Sequence, residues 1–192
     1  AASEDDGFAF RYTGEMFRKW YRLYSSPIED IQSFINSGES SSNEFKSSAR
    51  WDYRQNKLNK ELEKVILKSI AGFMNANGGK LLIGVDDSGN ILGLENDFQT
   101  LKKKDRDGFE QFIIQLLSNG IGKEFCPYID LTFQQFDVKC VCLINVDASP
   151  RPAYVQEGNE AKFFLRTGNS TQQLNTKEAI EYVGAHWDKE KN

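Results

Sequence analysis

The 192-residue chain carries 24 Lys and Arg against 28 Asp and Glu, a formal charge of −4, with 39% apolar residues and three cysteines. A chain of this length buries about 70% of its unfolded surface and folds as one domain with at most a small appendage, without disulfide or structural metal. The charge excludes nucleic-acid binding that depends on overall positive charge and leaves only a local basic face, because a polyanion responds to the nearby field.

The cysteines are odd in number and form no CxxC pair, which fits neither a disulfide framework nor a zinc site and points to a reducing compartment. Strand alternation puts Cys140 and Cys142 on one face, and all three read as packing residues. No apolar run is long enough to span a bilayer and no signal peptide is recognisable, so a cytoplasmic chain without membrane contact is expected. The opening Ala1-Ala2-Ser3 lacks a methionine and reads either as a trimmed chain or as a piece of a longer protein.

Residues 1–7 form an acidic tail. Phe17, Trp20, Tyr21 and Tyr24 then recur at i, i+3, i+4, i+7, which predicts a helix with one aromatic stripe. That stripe suits packing on the domain or a partner chain, or base stacking beside its arginines. A second short helix fits Ile28 to Ile35, with Pro27 at its start and Gly38 at its end. Glu44-Phe45-Lys46 reads as a strand with Phe45 inward and its charged neighbours outward. A loop holding Arg50, Trp51, Tyr53 and Arg54 leads to the principal helix, whose buried face is Leu58, Leu62, Val65, Ile66, Ile70 and Phe73. Lys57, Lys60, Lys64 and Lys68 fall nearly opposite, as a solvated face or a phosphate-facing stripe.

Gly78-Gly79 ends that helix, an apolar strand runs to Val85, and Asp86-Asp87-Ser88-Gly89 turns into a return strand at Ile91-Leu92-Gly93-Leu94. Phe109, Phe112, Ile113, Leu116 and Leu117 mark another amphipathic helix, begun at Asp105 and Asp107 and closed near Gly120. Strands follow at Tyr128 to Phe136 and Lys139 to Val146, then a pair at Ala153 to Gln156 and Ala161 to Arg166. A last helix spans Thr176 to Trp187, with Asn175 and Glu178 at capping-box spacing. The order lacks βαβ regularity, so the class is α+β with a mixed or antiparallel sheet.

A phosphate-loop reading of Gly79-Lys80 fails, because Met74 and Leu81 stand where the pattern needs Gly and Ser or Thr. The single histidine, His186, excludes a histidine triad or multi-histidine metal site within the chain and reads as a surface or packing residue. Carboxylates remain. Glu39, Glu44 and Asp87 would suit Mg²⁺ or Mn²⁺ if the Glu44 strand pairs near the end of Leu81 to Val85. Lys46 would neutralise a phosphate beside them. The bland alternative is that these acids only solvate and shape turns.

Taken together, Glu39-Ser-Ser-Ser-Asn-Glu44-Phe45-Lys46, Ala71 to Gly79, Leu82 to Gly89 with Gly93, Ser149 to Tyr154 and Phe163 to Ser170 resemble the Schlafen AlbA-type domain. The resemblance implies a nucleic-acid-binding domain over 36–187, preceded by an extension at 1–35 and followed by a tail at 188–192. It implies a phosphate-facing patch of Lys46, Arg50, Arg54, Lys57, Lys60, Lys64 and Lys68. In animal Schlafens the residues matching Glu39, Glu44 and Asp87 form a metal-dependent centre that cleaves structured RNA such as tRNA. Many bacterial relatives use similar segments for binding or regulation. Because the animal enzymes clamp RNA between two lobes, a one-lobe chain is expected to pair as a homodimer. A protein-assembly domain that binds no nucleic acid is the third reading.

Overall fold

The computed structural model describes residues 31–187, so the predicted stripe of Phe17, Trp20, Tyr21 and Tyr24 lies outside the described residues. The chain falls into two compact units, Ala1–Ile35 and Asn36–Asn192. Helix α1, Ile31–Ser37, runs two residues beyond its predicted end, and Gly38 stops it at φ +72°.

The larger unit is built around helix α2, Glu61–Met74. Before it come strand β1 (Asn43–Lys46) and a hairpin of two short strands, β2 (Trp51–Asp52) and β3 (Lys57–Leu58). After it come β4 (Gly79–Ile83), the short helix α3 (Glu95–Gln99) and α4 (Arg106–Leu117). Strands β5 (Ile129–Phe136) and β6 (Lys139–Val146) form a hairpin, followed by β7 (Tyr154–Glu157), β8 (Glu160–Thr167), β9 (Ser170–Leu174) and helix α5 (Thr176–Trp187). One sheet has the order β1-β4-β6-β5, with β1 parallel to β4 and the other pairs antiparallel. A second, antiparallel sheet has the order β7-β8-β9. The mixed α+β architecture read from the sequence is the one observed.

Leu81, Ile83, Cys142 and Ile144 pack in one cluster with Ile66, Ile70 and Phe73 of α2 and with Phe109 and Ile113 of α4. Leu82 and Leu143, whose side chains point to the other face, are buried as well. The central strands therefore read as continuous apolar runs rather than alternating ones. Cys140 and Cys142 are buried, and burial pushes both thiols up, as expected of packing residues. His186 stacks on Tyr182, with ring centroids 5.1 Å apart, and meets Trp187 edge-on. Asn175 and Glu178 make the predicted reciprocal cap, at 2.8 and 3.0 Å. Among the described residues no helix is long and apolar enough to cross a membrane.

Three expectations are corrected. Leu58 and Val65 are not buried but 40% and 38% exposed, because α2 starts only at Glu61 and Val65 lies toward its outer side. Residues 51–58 form a hairpin, not a loop: Asp52 Oδ1 accepts from the backbone of Arg54 and Gln55, and Asn56 takes φ +51°. The return stretch after Asp87 makes a single bridge, Val85 to Ile91, because Leu92 and Gly93 both donate to the Gly84 carbonyl. Strand β9 and helix α3 were not foreseen.

The passage from α2 into β4 is set by Gly78, whose φ of +75° lets its N–H reach the Phe73 carbonyl at 2.9 Å. A Cβ there would meet the Val146 carbonyl oxygen at 2.6 Å. Just before it, Asn75 is wholly buried and joins three segments. Its Nδ2 donates to the carbonyls of Ala153 and Phe164, its Oδ1 accepts from Ala153 N–H, and its own carbonyl accepts from Tyr182 Oη, at 2.7–2.8 Å. Removing that amide would strand three buried backbone groups, each costing about 1–3 kcal/mol. Asn75→Ala is therefore expected to lower stability by about 3 kcal/mol or more in urea unfolding, with the denaturant slope unchanged.

Candidate nucleic-acid interface

Strand β1 lies parallel to β4 with Glu44 opposite Leu81. Phe45 faces the core as predicted, but Glu44 is buried too, at 7% exposure. Burial is possible because α2 and β8 supply partners. Ser69 Oγ donates to Glu44 Oε1 at 3.0 Å, Lys46 Nζ lies 2.7 Å from the same oxygen, and Arg166 Nη1 donates to Oε2. Arg166 Nη2 donates to the carbonyls of Ser40 and Asn43, at 2.7 and 3.1 Å, and its guanidinium sits 5.0 Å over the Phe73 ring. The 40–46 stretch is thereby tied to β8.

Glu39 is exposed, and its Oε1 accepts from Phe45 N–H at 2.9 Å. Asp87 is exposed in the turn beyond β4. Asp86 beside it accepts from Asn90 and Ser88, which hold its carboxyl below the usual range. Among the described residues no group of three or more His, Cys, Asp or Glu is placed to hold a metal ion. Both oxygens of Glu44 face cations already. Glu39, Glu44 and Asp87 as arranged do not fit the shared divalent cation that the resemblance implied.

The seven predicted cations divide into two groups. Lys46 pairs with Glu44, Arg50 with Glu63 at 3.0 Å, Lys64 with Glu61 at 2.7 Å and Lys68 with Glu157 at 3.1 Å. Arg50 also lies over the Phe112 ring and Lys68 over Phe164. Arg54, Lys57 and Lys60 are exposed and make no ion pair among the described residues. They do not extend a helical stripe. Arg54 is in the β2–β3 turn, Lys57 in β3 and Lys60 just before α2.

The stretch that leads into that hairpin is held by Asp97 of α3, a wholly buried acid the sequence did not single out. Its Oδ1 accepts from Ser48 Oγ, Ala49 N–H and Arg50 N–H at 2.8–3.1 Å, while Oδ2 has no partner. Burial pushes its carboxyl up to about 6, against those donors, which favour the anion. Tyr53 Oη donates to the Gly93 carbonyl at 3.1 Å, and burial beside the Asp97 charge pushes the phenol up to about 12.

These features define an α+β domain that offers a cationic hairpin beside a helix, with Glu44 locked into an internal ion pair. The chain belongs to the family described as Schlafen, AlbA_2, which matches residues 39–175. Among solved structures it is similar to the DIP2311 protein from Corynebacterium diphtheriae, at 21% identity and a TM-score of 0.54. That match covers 81% of this chain but 31% of the DIP2311 chain, so this chain spans about a third of that relative. It is also similar to the N-terminal domain of the "Putative ATP-dependent DNA Helicase RecG-related Protein" from Nitrosomonas europaea, at 19% identity and a TM-score of 0.47, covering 76% of this chain and 92% of that one. A comparison with curated proteins finds no significant match.

Two outcomes follow from this geometry. Arg166→Met leaves Glu44 buried with Lys46 as its remaining cation, and should cost about 3 kcal/mol in equilibrium unfolding, much of it recovered when Glu44→Leu is added. For Asp97, a folded pKa near 6, above the ordinary 3.8 of an aspartate, means that its stabilising contribution is present below pH 3.8 and lost as pH rises through about 6. The loss is on the order of 2–3 kcal/mol, and Asp97→Asn should flatten that fall in a series of unfolding curves between about pH 4 and pH 7.

Proposed function

We propose that this chain is a nucleic-acid-binding module of the Schlafen AlbA type that docks the sugar-phosphate backbone on its β2–β3 hairpin. One observation carries the reading: Arg54, Lys57 and Lys60 stand exposed and unpaired together, while the other four predicted cations face carboxylates. Membership of the family, whose resemblance implies nucleic-acid binding, supports it. An exposed cation outside any close ion pair gains most from a phosphate, since it gives up no salt bridge and releases a condensed counterion, although Asp52, cross-strand from Lys57, tempers the local positive field. Lys46, Arg50, Lys64 and Lys68 then serve the fold first.

A gel-shift series against duplex DNA and tRNA at rising salt tests this. Binding should weaken steeply with salt, and combining Arg54→Ala, Lys57→Ala and Lys60→Ala should lower the slope of log affinity against log salt by about 1 per lost phosphate contact. Lys64→Ala, which breaks only the exposed Glu61 pair, should leave the slope nearly unchanged. No binding at low salt, or equal loss from both variants, would defeat the reading.

A further inference from the structure

The hairpin carries rings as well as charge. Trp51 and Leu58 are cross-strand partners, so their side chains share a face of the β2–β3 ribbon. Tyr53 follows at the start of the turn and is 38% exposed, although its hydroxyl is tethered to the Gly93 carbonyl. Leu58 is 40% exposed. Lys57, cross-strand from Asp52, points to the other face of the ribbon, while Arg54 in the turn and Lys60 beyond β3 are the exposed cations that adjoin the ring face in sequence. A tethered phenol with open surface loses little rotamer freedom when a flat partner settles on it, which lowers the cost of binding.

Phosphate-facing cations alone do not choose between duplex and single strand. An open aromatic surface does, because base faces inside a duplex are stacked on one another and only unpaired bases can be laid on a side-chain ring. We infer that the β2–β3 hairpin selects single-stranded nucleic acid, with an unpaired base stacked on Tyr53 and the adjoining phosphates held by Arg54 in the turn and Lys60 beyond β3. The inference rests on the nucleic-acid reading above and narrows its ligand to unpaired strands or loops.

Fluorescence anisotropy of the full chain with a labelled oligothymidylate and with a duplex of the same length provides the test. The single strand should bind more tightly. Tyr53→Leu should weaken it by about tenfold, the scale of losing one base–ring stack, and change duplex binding by less than about twofold. Tyr53→Phe, which keeps the ring but loses the Gly93 tether, should lose clearly less than Tyr53→Leu, and melting curves should show all three proteins folded. In the unaltered chain, photocross-linking to a halogenated oligouridylate should land on the Trp51–Tyr53 peptide, a readout that needs no variant. Equal loss for both ligands in a folded Tyr53→Leu protein, or cross-links only elsewhere, would overturn the stacking inference and leave general binding standing. Absence of binding to either ligand at low salt would overturn both.

Discussion

A buried ion pair, Glu44 with Arg166, closes this fold. The two residues belong to different sheets, and α2 lies against both through Ser69, which donates to Glu44, and Phe73, which lies under Arg166. Neither charge would tolerate burial alone, since the desolvation cost of an unpaired ion exceeds what neighbouring dipoles return. With Arg166 also satisfying the Ser40 and Asn43 carbonyls, the four-residue strand β1 is held by side chains as well as by its backbone ladder. That commitment makes Glu44 an internal counter-ion rather than a free surface carboxylate.

The same economy runs through the electrostatics. An anionic chain has more carboxylates than cations, so most lysines and arginines near α2 find an acid within reach: Glu63 for Arg50, Glu61 for Lys64, Glu157 for Lys68. Glu157 also meets Lys162, and the two cations hold its carboxyl below the usual range. The lysine spacing in the sequence suggested one continuous stripe. Local pairing divides it, and what remains is a small cluster on a hairpin whose footing is Asp97.

Much of the architecture could be read from residue order because its signals are local. The Asn175 and Glu178 cap, the Asp105 start of α4 and the apolar run of β6 each express an interaction within a few residues. The candidate site was harder. Lys57 and Lys60 matched helical spacing, yet the Asp52 turn and the Asn59 amide, which donates to Asp52 Oδ2, bend that stretch into a hairpin before the helix begins. A turn-forming aspartate after Trp51, with Asn56 able to adopt positive φ, was the available clue. Glu44 matched strand alternation as an outward charge, and nothing nearby in sequence announced that Arg166 would cover it. Asp97 was likewise invisible, since its donors come from residues 48–50, nearly half a hundred positions earlier.

Glu44 and Arg166 stand 122 residues apart. At ordinary ribosomal speed of about 5–20 residues per second, the acid waits roughly ten seconds after its own synthesis before its guanidinium partner exists. During that interval the first sheet can collapse around β4 and β6 with Lys46, two residues away, as the only cation beside Glu44. The tie between β1 and the second sheet therefore forms only once β8 has been made.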